Sequence, residues 1–201
     1  MGGAVSHDLR TPWSRLKLRL ENISDDKLQS QMRQDLNDMI AMLDATLTYL
    51  HEQRTSEALQ LMDVQALVES LCENAQDQGA DVYVSGHCAP LPVQPMALRS
   101  CLNNLMDNAL RYAGQARIEL HDQREQLLIC VIDHGPGIAE DKREAVFEPF
   151  FRLEGSRNRN SGGVGLGMTI AREAAQRLGG QLNLEETPGG GLTAIIRLPR
   201  T

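Results

Sequence analysis

The chain has 201 residues, enough for one large domain or two small ones. Of these, 41% are hydrophobic and only 3% aromatic, so any core must be built mostly from Leu, Ile, Val, Ala and Met. The net charge of −7 argues weakly against nucleic acid as a partner, and a nucleotide site would have to make its own local positive field.

No apolar run approaches the ~18 residues of a membrane span, and no secretory signal is visible. Cys72, Cys88, Cys101 and Cys130 are spread without a CxxC or any Cys/His metal spacing. Buried free thiols in a reducing compartment are expected. The opening Met1-Gly2-Gly3 reads as an added leader, as if the chain had been cut from something longer.

The first predicted helix covers residues 4–23, with Leu9, Trp13, Leu16, Leu20 and Ile23 in a heptad-like stripe. It carries Ser6-His7-Asp8-Leu9-Arg10-Thr11-Pro12. The four-residue spacing puts His7 and Thr11 on one face, whereas Asp8, one residue on, does not face His7 squarely. Pro12 lacks an N–H and clashes with the carbonyl four residues back, so a kink is expected there. Ser24-Asp25-Asp26 is a polar break and a cap for a second helix over residues 26–52. Its stripe is Leu28, Met32, Leu36, Met39, Leu43, Leu47 and Leu50. Two helices with a short connection make an antiparallel hairpin, which buries its stripes by pairing with a second copy or by packing on the rest of the chain.

Residues 54–57 read as a linker between a helical unit (1–53) and a second domain (58–201). That domain begins with a short strand at 59–62 and a helix that Asp63 can cap, carrying Val64, Leu67, Val68 and Leu71 and running to about Gln78, where Gly79 stops it. A strand at 81–85 and a loop punctuated by Pro90, Pro92 and Pro95 follow. A helix at 95–113, strands at 116–121 and 126–132, a loop-rich stretch with a short helix at 140–146, and a helix at 166–178 come next. A hairpin of 181–186 and 192–198 around Pro188-Gly189-Gly190-Gly191 closes the chain. The expected fold class is α+β: helices layered on one face of a mixed sheet.

Four stretches of this domain carry chemistry. Asn104 and Asn108 lie four apart on a helix, with Arg111 and Tyr112 a turn later. An amide oxygen suits Mg²⁺, a guanidinium suits phosphate, and a phenol ring can lie against a base, although the same residues make an ordinary polar helix face. Asp133-His134-Gly135-Pro136-Gly137 follows an apolar strand, where Asp133 can accept a hydrogen bond from adenine's exocyclic amine and the glycines permit close approach. Phe147 to Arg152 and the polar residues 155–161 suggest an anchored lid. Gly162-Gly163-Val164-Gly165-Leu166-Gly167 runs into a helix and leaves N–H groups free for phosphates, yet matches neither a P-loop nor a dinucleotide fingerprint.

The ordered set HDLRTP (7–12), NNLMDNALRY (103–112), DHGPG (133–137), FEPFFR (147–152) and GGVGLG (162–167) resembles the sensor histidine kinases of bacterial two-component systems, in the osmosensor-like class. The resemblance implies a dimerisation and phosphotransfer hairpin that forms a four-helix bundle with a second copy. After it comes an α/β-sandwich ATP-binding domain of the gyrase/Hsp90/histidine kinase/MutL type. It implies His7 as the phosphoacceptor, Asp8 as its acidic helper and Thr11 as the residue positioning water for dephosphorylation of a partner. Asn108 is implied as the Mg²⁺ ligand with Asn104 beside it, Arg111 as a phosphate contact, Tyr112 as an adenine contact and Asp133 as the adenine-reading carboxylate. Gly135, Gly137, Gly163, Gly165 and Gly167 match pocket and hinge glycines; Ile138, Phe150, Arg152 and Leu166 complete the implied nucleotide contacts.

The implied cofactors are ATP and Mg²⁺, and the implied partner is a response regulator receiver domain, with no nucleic acid partner. A longer, membrane-anchored protein at the cytoplasmic side of the bacterial inner membrane is implied as the source. Three residues depart from the family pattern: Trp13 where an aliphatic residue is usual, Gln94 for an acid, and His134 for a polar or acidic residue. With only six residues before His7, the bundle is expected to be weakest at that end. The rival reading is a nucleotide-gated conformational ATPase without a phosphoenzyme, which would have no use for HDLRTP.

Overall fold

The computed structural model describes residues 20–21, 25–54, 57–153 and 165–200. It divides into two compact units, residues 1–56 and 57–201.

In the first unit, helix α1 spans Asp26–Arg54. Asp25 begins it, its carboxylate accepting from the N–H groups of Lys27 and Leu28 at 3.0 Å each. That meets donors which have no partner inside the helix. The Leu20 carbonyl accepts from the Gln29 side-chain amide at 2.9 Å. Leu20 and Leu36 are buried, while Leu28, Met32, Met39, Leu43 and Leu50 are exposed. The rest of the first predicted helix, with His7, Asp8, Thr11 and Trp13, lies outside the described residues. Among the described residues neither the hairpin nor a four-helix bundle is seen.

The second unit is built on a five-stranded mixed sheet. Its strands are β2 (Asp81–His87), β4 (Gln115–Asp122), β5 (Gln126–Ile132), β6 (Gln181–Glu186) and β7 (Leu192–Pro199), in the order β2-β4-β5-β7-β6. Only the β2–β4 pair is parallel. A separate antiparallel pair joins β1 (Gln60–Met62) to β3 (Leu91–Val93).

Period-two alternation sends Ile118, Leu120, Leu127, Ile129, Ile196 and Leu198 into one core. Helices α2 (Val64–Asp77), α3 (Pro95–Ala113) and α4 (Gly167–Arg177) supply the rest of it. Burying each of these larger side chains contributes about 1.5–3 kcal/mol. Helix α4 buries only small residues, Ala171, Ala174, Ala175 and Thr169. They let it approach α3 closely enough for the Cys101 thiol to reach the Ala171 carbonyl at 3.3 Å. This approach positions the site described below.

The four cysteines are free, and three are buried. Burial pushes the Cys101 thiol up to about 12, and burial with Glu69 and Glu73 nearby pushes the Cys72 thiol up to about 11.

Three details differ from the sequence reading. Strand β3 forms where prolines suggested only loop. Pro92 faces outward in a two-stranded ribbon and has no second neighbour to supply with an N–H. Strand β2 continues to His87 because Gly86, at φ +87, lets the backbone pass where a β-carbon would stand 2.1 Å from the Leu120 carbonyl oxygen. The short helix at 140–146 is two 3₁₀ turns, Glu140–Lys142 and Ala145–Phe147.

Candidate functional site

Helix α3 is the spine of the site. Pro95 starts it, with its missing N–H at a position that needs no partner. Gly114, in the left-handed region at φ 74, ends it and donates to the Leu110 carbonyl at 2.9 Å. Leu98, Leu102, Leu105 and Ala109 face the core, which leaves half-buried Asn104 and Asn108 on another face. The Asn104 amide nitrogen donates to the Ser100 carbonyl at 2.9 Å.

The start of α4 meets that face. A β-carbon at Gly167 would stand 3.2 Å from Asn104 Oδ1 and 3.8 Å from both amide atoms of Asn108. A glycine at this first helical position therefore brings two side-chain amides against a helix N-terminus, where free N–H groups and the helix dipole favour anions. Leu166, just before the helix, is buried, and its carbonyl accepts from the Ile170 N–H at 2.9 Å. Asn108 offers the hard oxygen that Mg²⁺ takes together with phosphate and water, so the donor chemistry fits that ion.

Two turns of α3 beyond Asn104 stands Tyr112, 48% exposed and so open to a flat ligand. Its carbonyl lies beside Gly135, where a β-carbon would be 3.2 Å from that oxygen, 3.0 Å from Ala113 Cβ and 3.2 Å from Asp133 Oδ1. Asp133 is 93% buried at the end of β5, one of three buried polar residues among the described ones. Its Oδ1 accepts from the N–H groups of Gly135 at 2.8 Å and Leu192 at 3.1 Å. The Asp133 N–H donates in turn to the Leu192 carbonyl at 2.9 Å. Oδ2 takes neither bond, which leaves a fixed acceptor for a ligand donor. Gly137, at φ +69, lies against the Gly191 carbonyl, and half-buried Ile138 packs on the core.

The segment expected to act as a lid, with Gly163, lies outside the described residues, but both its ends are described. The Phe150 N–H donates to the Gly165 carbonyl at 2.9 Å. Phe150 has φ 65, a conformation uncommon for a bulky residue. A β-carbon at Gly165, itself at φ +79, would stand 2.9 Å from the Phe150 carbonyl carbon. The Thr169 hydroxyl donates to the Phe147 carbonyl at 2.9 Å, and the Arg172 guanidinium lies 4.6 Å from the Phe147 ring centre. Arg111 and Arg152 are exposed.

The structure thus brings together Asn104, Asn108 and Gly167, then Tyr112, Asp133 and Gly135, then Phe150 and Gly165. Sequence reasoning passed over Leu192, whose N–H holds Asp133, and Thr187 and Gly191 in the turn before it. The available signal was three successive glycines, more than a simple hairpin turn requires.

Residues 93–201 match the family model for the histidine kinase-, DNA gyrase B-, and HSP90-like ATPases. The sensor histidine kinase GtrS of Pseudomonas aeruginosa is 38% identical over 197 residues, covering 98% of this chain and 41% of that protein. The structure of full-length ShkA in complex with AMPPNP matches with a TM-score of 0.70 at 20% identity, over 100% of this chain and 46% of that one. The histidine kinase ThkA, solved in complex with the response regulator protein TrrA, matches with a TM-score of 0.68 at 19% identity, over 99% of this chain and 60% of that one. At these identities the two structures speak for the fold. The chain spans less than half the length of the curated relatives GtrS and CpxA.

Proposed function

This chain belongs to the histidine kinase-, DNA gyrase B-, and HSP90-like ATPase family, as the catalytic core of a sensor histidine kinase, and from that premise we propose that it phosphorylates its own His7 from ATP. The observation that carries the nucleotide half of this reading is the contact of Gly167 with Asn104 and Asn108. It sets polar amides and a helix N-terminus side by side, as a triphosphate requires. Asp133 and Tyr112 supply an acceptor and an aromatic face for adenine.

In the proposed reaction a neutral imidazole nitrogen of His7 attacks the γ-phosphorus. The bond to the β–γ bridging oxygen breaks and ADP leaves. Asp8 takes the proton from the other ring nitrogen. Arg111 and the N–H groups at the start of α4 offset charge on the phosphates. Mg²⁺, held through Asn108 with Asn104 beside it, would supply further charge neutralisation when bound.

The phosphoryl group then passes to an aspartate of a response regulator receiver domain, and Thr11 orients a water that later removes it from the regulator. The ThkA–TrrA complex supports this choice of partner. A homodimer through the helical hairpin is supported by the exposed Met32, Met39, Leu43 and Leu50 of α1, at heptad spacing. Among the described residues no helix is long and apolar enough to cross a membrane. Membrane anchoring, and a place at the cytoplasmic side of the inner membrane, would come from the remainder of a longer protein.

The test is incubation with γ-labelled ATP and Mg²⁺. The expected label is lost in acid, kept in base and passed to a receiver-domain aspartate. ATP turnover with no protein label would favour the gated-ATPase reading instead.

A further inference from the structure

We infer that the turn from Thr187 to Gly191, which from sequence is only a hairpin connection, positions the Asp133 carboxylate and thereby sets the base selectivity of the nucleotide site. The inference rests on the nucleotide reading above.

The turn leans on the Asp133 loop, backbone against backbone. Gly191 has φ +118, and a β-carbon there would stand 2.1 Å from the Asp133 carbonyl oxygen and 2.7 Å from His134 Cα. Only glycine fits. The next residue, Leu192, exchanges two hydrogen bonds with Asp133: its N–H to Oδ1, and the Asp133 N–H to its carbonyl. One flank of the turn is thus a donor to the carboxylate itself. On the other side the Gly191 carbonyl abuts Gly137 at the far end of the Asp133 loop.

The turn has its own lock. The Gly190 N–H donates to the Thr187 carbonyl at 2.8 Å, and the Thr187 N–H to the Gly191 carbonyl at 3.3 Å. Thr187 is 97% buried, and its hydroxyl is 2.9 Å from that of Thr193, across the turn. His134 Nδ1 lies 3.2 Å from the Gly190 carbonyl, which can only accept, so this bond uses the form with the proton on Nδ1. The residue that departs from the family pattern thus ties the two loops a second time.

These contacts fix where Oδ2 points. A carboxylate can only accept, so it matches the exocyclic amine of adenine and opposes the keto oxygen at the same place in hypoxanthine. If Leu192 shifts, Oδ1 loses a donor and the carboxylate turns. Thr187 and Gly191 act through Asp133 and are positioning residues.

The experiment measures displacement of a fluorescent nucleotide from the full chain by ATP and by inosine triphosphate, with Mg²⁺ present. Four variants are compared with the parent: Gly191→Ala, Thr187→Val, Thr187→Ser and Asp133→Asn. The parent should prefer ATP by roughly tenfold or more, the cost of opposing a buried acceptor with another. Gly191→Ala and Thr187→Val should weaken ATP while changing inosine triphosphate little, so the ratio falls toward that of Asp133→Asn. Thr187→Ser keeps the hydroxyl pair and should keep the ratio; this rescue separates positioning from general loss of structure. A parental ratio in Thr187→Val, or equal loss of both nucleotides in Thr187→Val and Thr187→Ser, overturns the proposal. A parental ratio in Asp133→Asn overturns the adenine-reading role beneath it, and the proposal with it.

Discussion

Removing the Glu57 carboxylate should loosen the nucleotide-binding unit at a point far from the nucleotide. Helix α3 starts without a side-chain cap of its own: Gln94 makes none, and its amide donates instead to the Glu57 carbonyl at 2.8 Å. The open N–H groups are met by Glu57, 39 residues upstream of Met96. The Met96 N–H is 3.0 Å from each carboxylate oxygen, and the Ala97 N–H is 3.4 Å from Oε2. Loss of a helix N-cap costs about 0.5–2 kcal/mol, and loss of a negative charge at a helix N-terminus about 0.3–1 kcal/mol. The two effects share the same contact, so Glu57→Ala should cost about 1–2 kcal/mol. For a unit of this size that lowers the unfolding midpoint by roughly 2–8 °C. Scanning calorimetry of the full chain reads it, following the transition that shifts with added nucleotide. Glu57→Gln keeps an acceptor oxygen without the charge and should fall between parent and alanine variant. An unchanged midpoint in Glu57→Ala would show that water replaces the cap at no cost and refute the reasoning.

Asn108→Ala removes a hard oxygen ligand and should abolish Mg²⁺-dependent nucleotide binding and phosphorylation together, read by nucleotide titration with and without Mg²⁺; normal phosphorylation would mean the ion is held elsewhere. Thr11→Ala should slow dephosphorylation of the phospho-regulator while leaving His7 labelling substantial, and equal loss of both would point to a packing defect instead. Burial pushes the Asp122 carboxyl up, but the Ala89 N–H and the Arg200 guanidinium outweigh it and hold the group below its ordinary range. A depressed folded pKa gives stability that is present above the unfolded value and lost as pH falls through the folded one. Arg200→Ala should therefore be less stable than the parent at pH 7 in urea titrations, with the gap narrowing in strong acid to what the Arg200 bonds to the Pro90 and Ala89 carbonyls contribute; a gap independent of pH would refute this.

Local signals made the helices legible. Proline at the start and glycine just past the end bracket α3, and the structure keeps those bounds. Asp63 accepts from the Ala66 N–H at 2.9 Å, as its place before an apolar run suggested. The sheet could be read by alternation, but its order could not, because pairing depends on which strands meet after crossovers. Strand β3 was hidden because Pro92 is a breaker in a central strand and harmless in a two-stranded ribbon.

Within the site, residue types pointed to Asn104, Asn108, Tyr112 and Asp133, since each advertises a chemistry. The residues that hold them do not. Glu57 reads as an ordinary acid in a polar stretch, and its use as a cap depends on a contact across 39 residues of chain. Leu192 acts through its backbone N–H, which no side chain announces. Gly191 is informative only once Asp133 lies 2.1 Å from where its β-carbon would be.

In the proposed reaction nucleotide binding and phosphate acceptance belong to different parts of the chain, with His7 as the acceptor. The most direct measurement compares the parent with His7→Gln in two readouts: acid-labile label from γ-labelled ATP, and affinity for ATP–Mg²⁺ by fluorescent nucleotide displacement. In His7→Gln the label should disappear while affinity stays within about twofold, since the Asn104, Asn108 and Asp133 groups are untouched. Label retained on another residue, or ATP affinity lost together with the label, would contradict it.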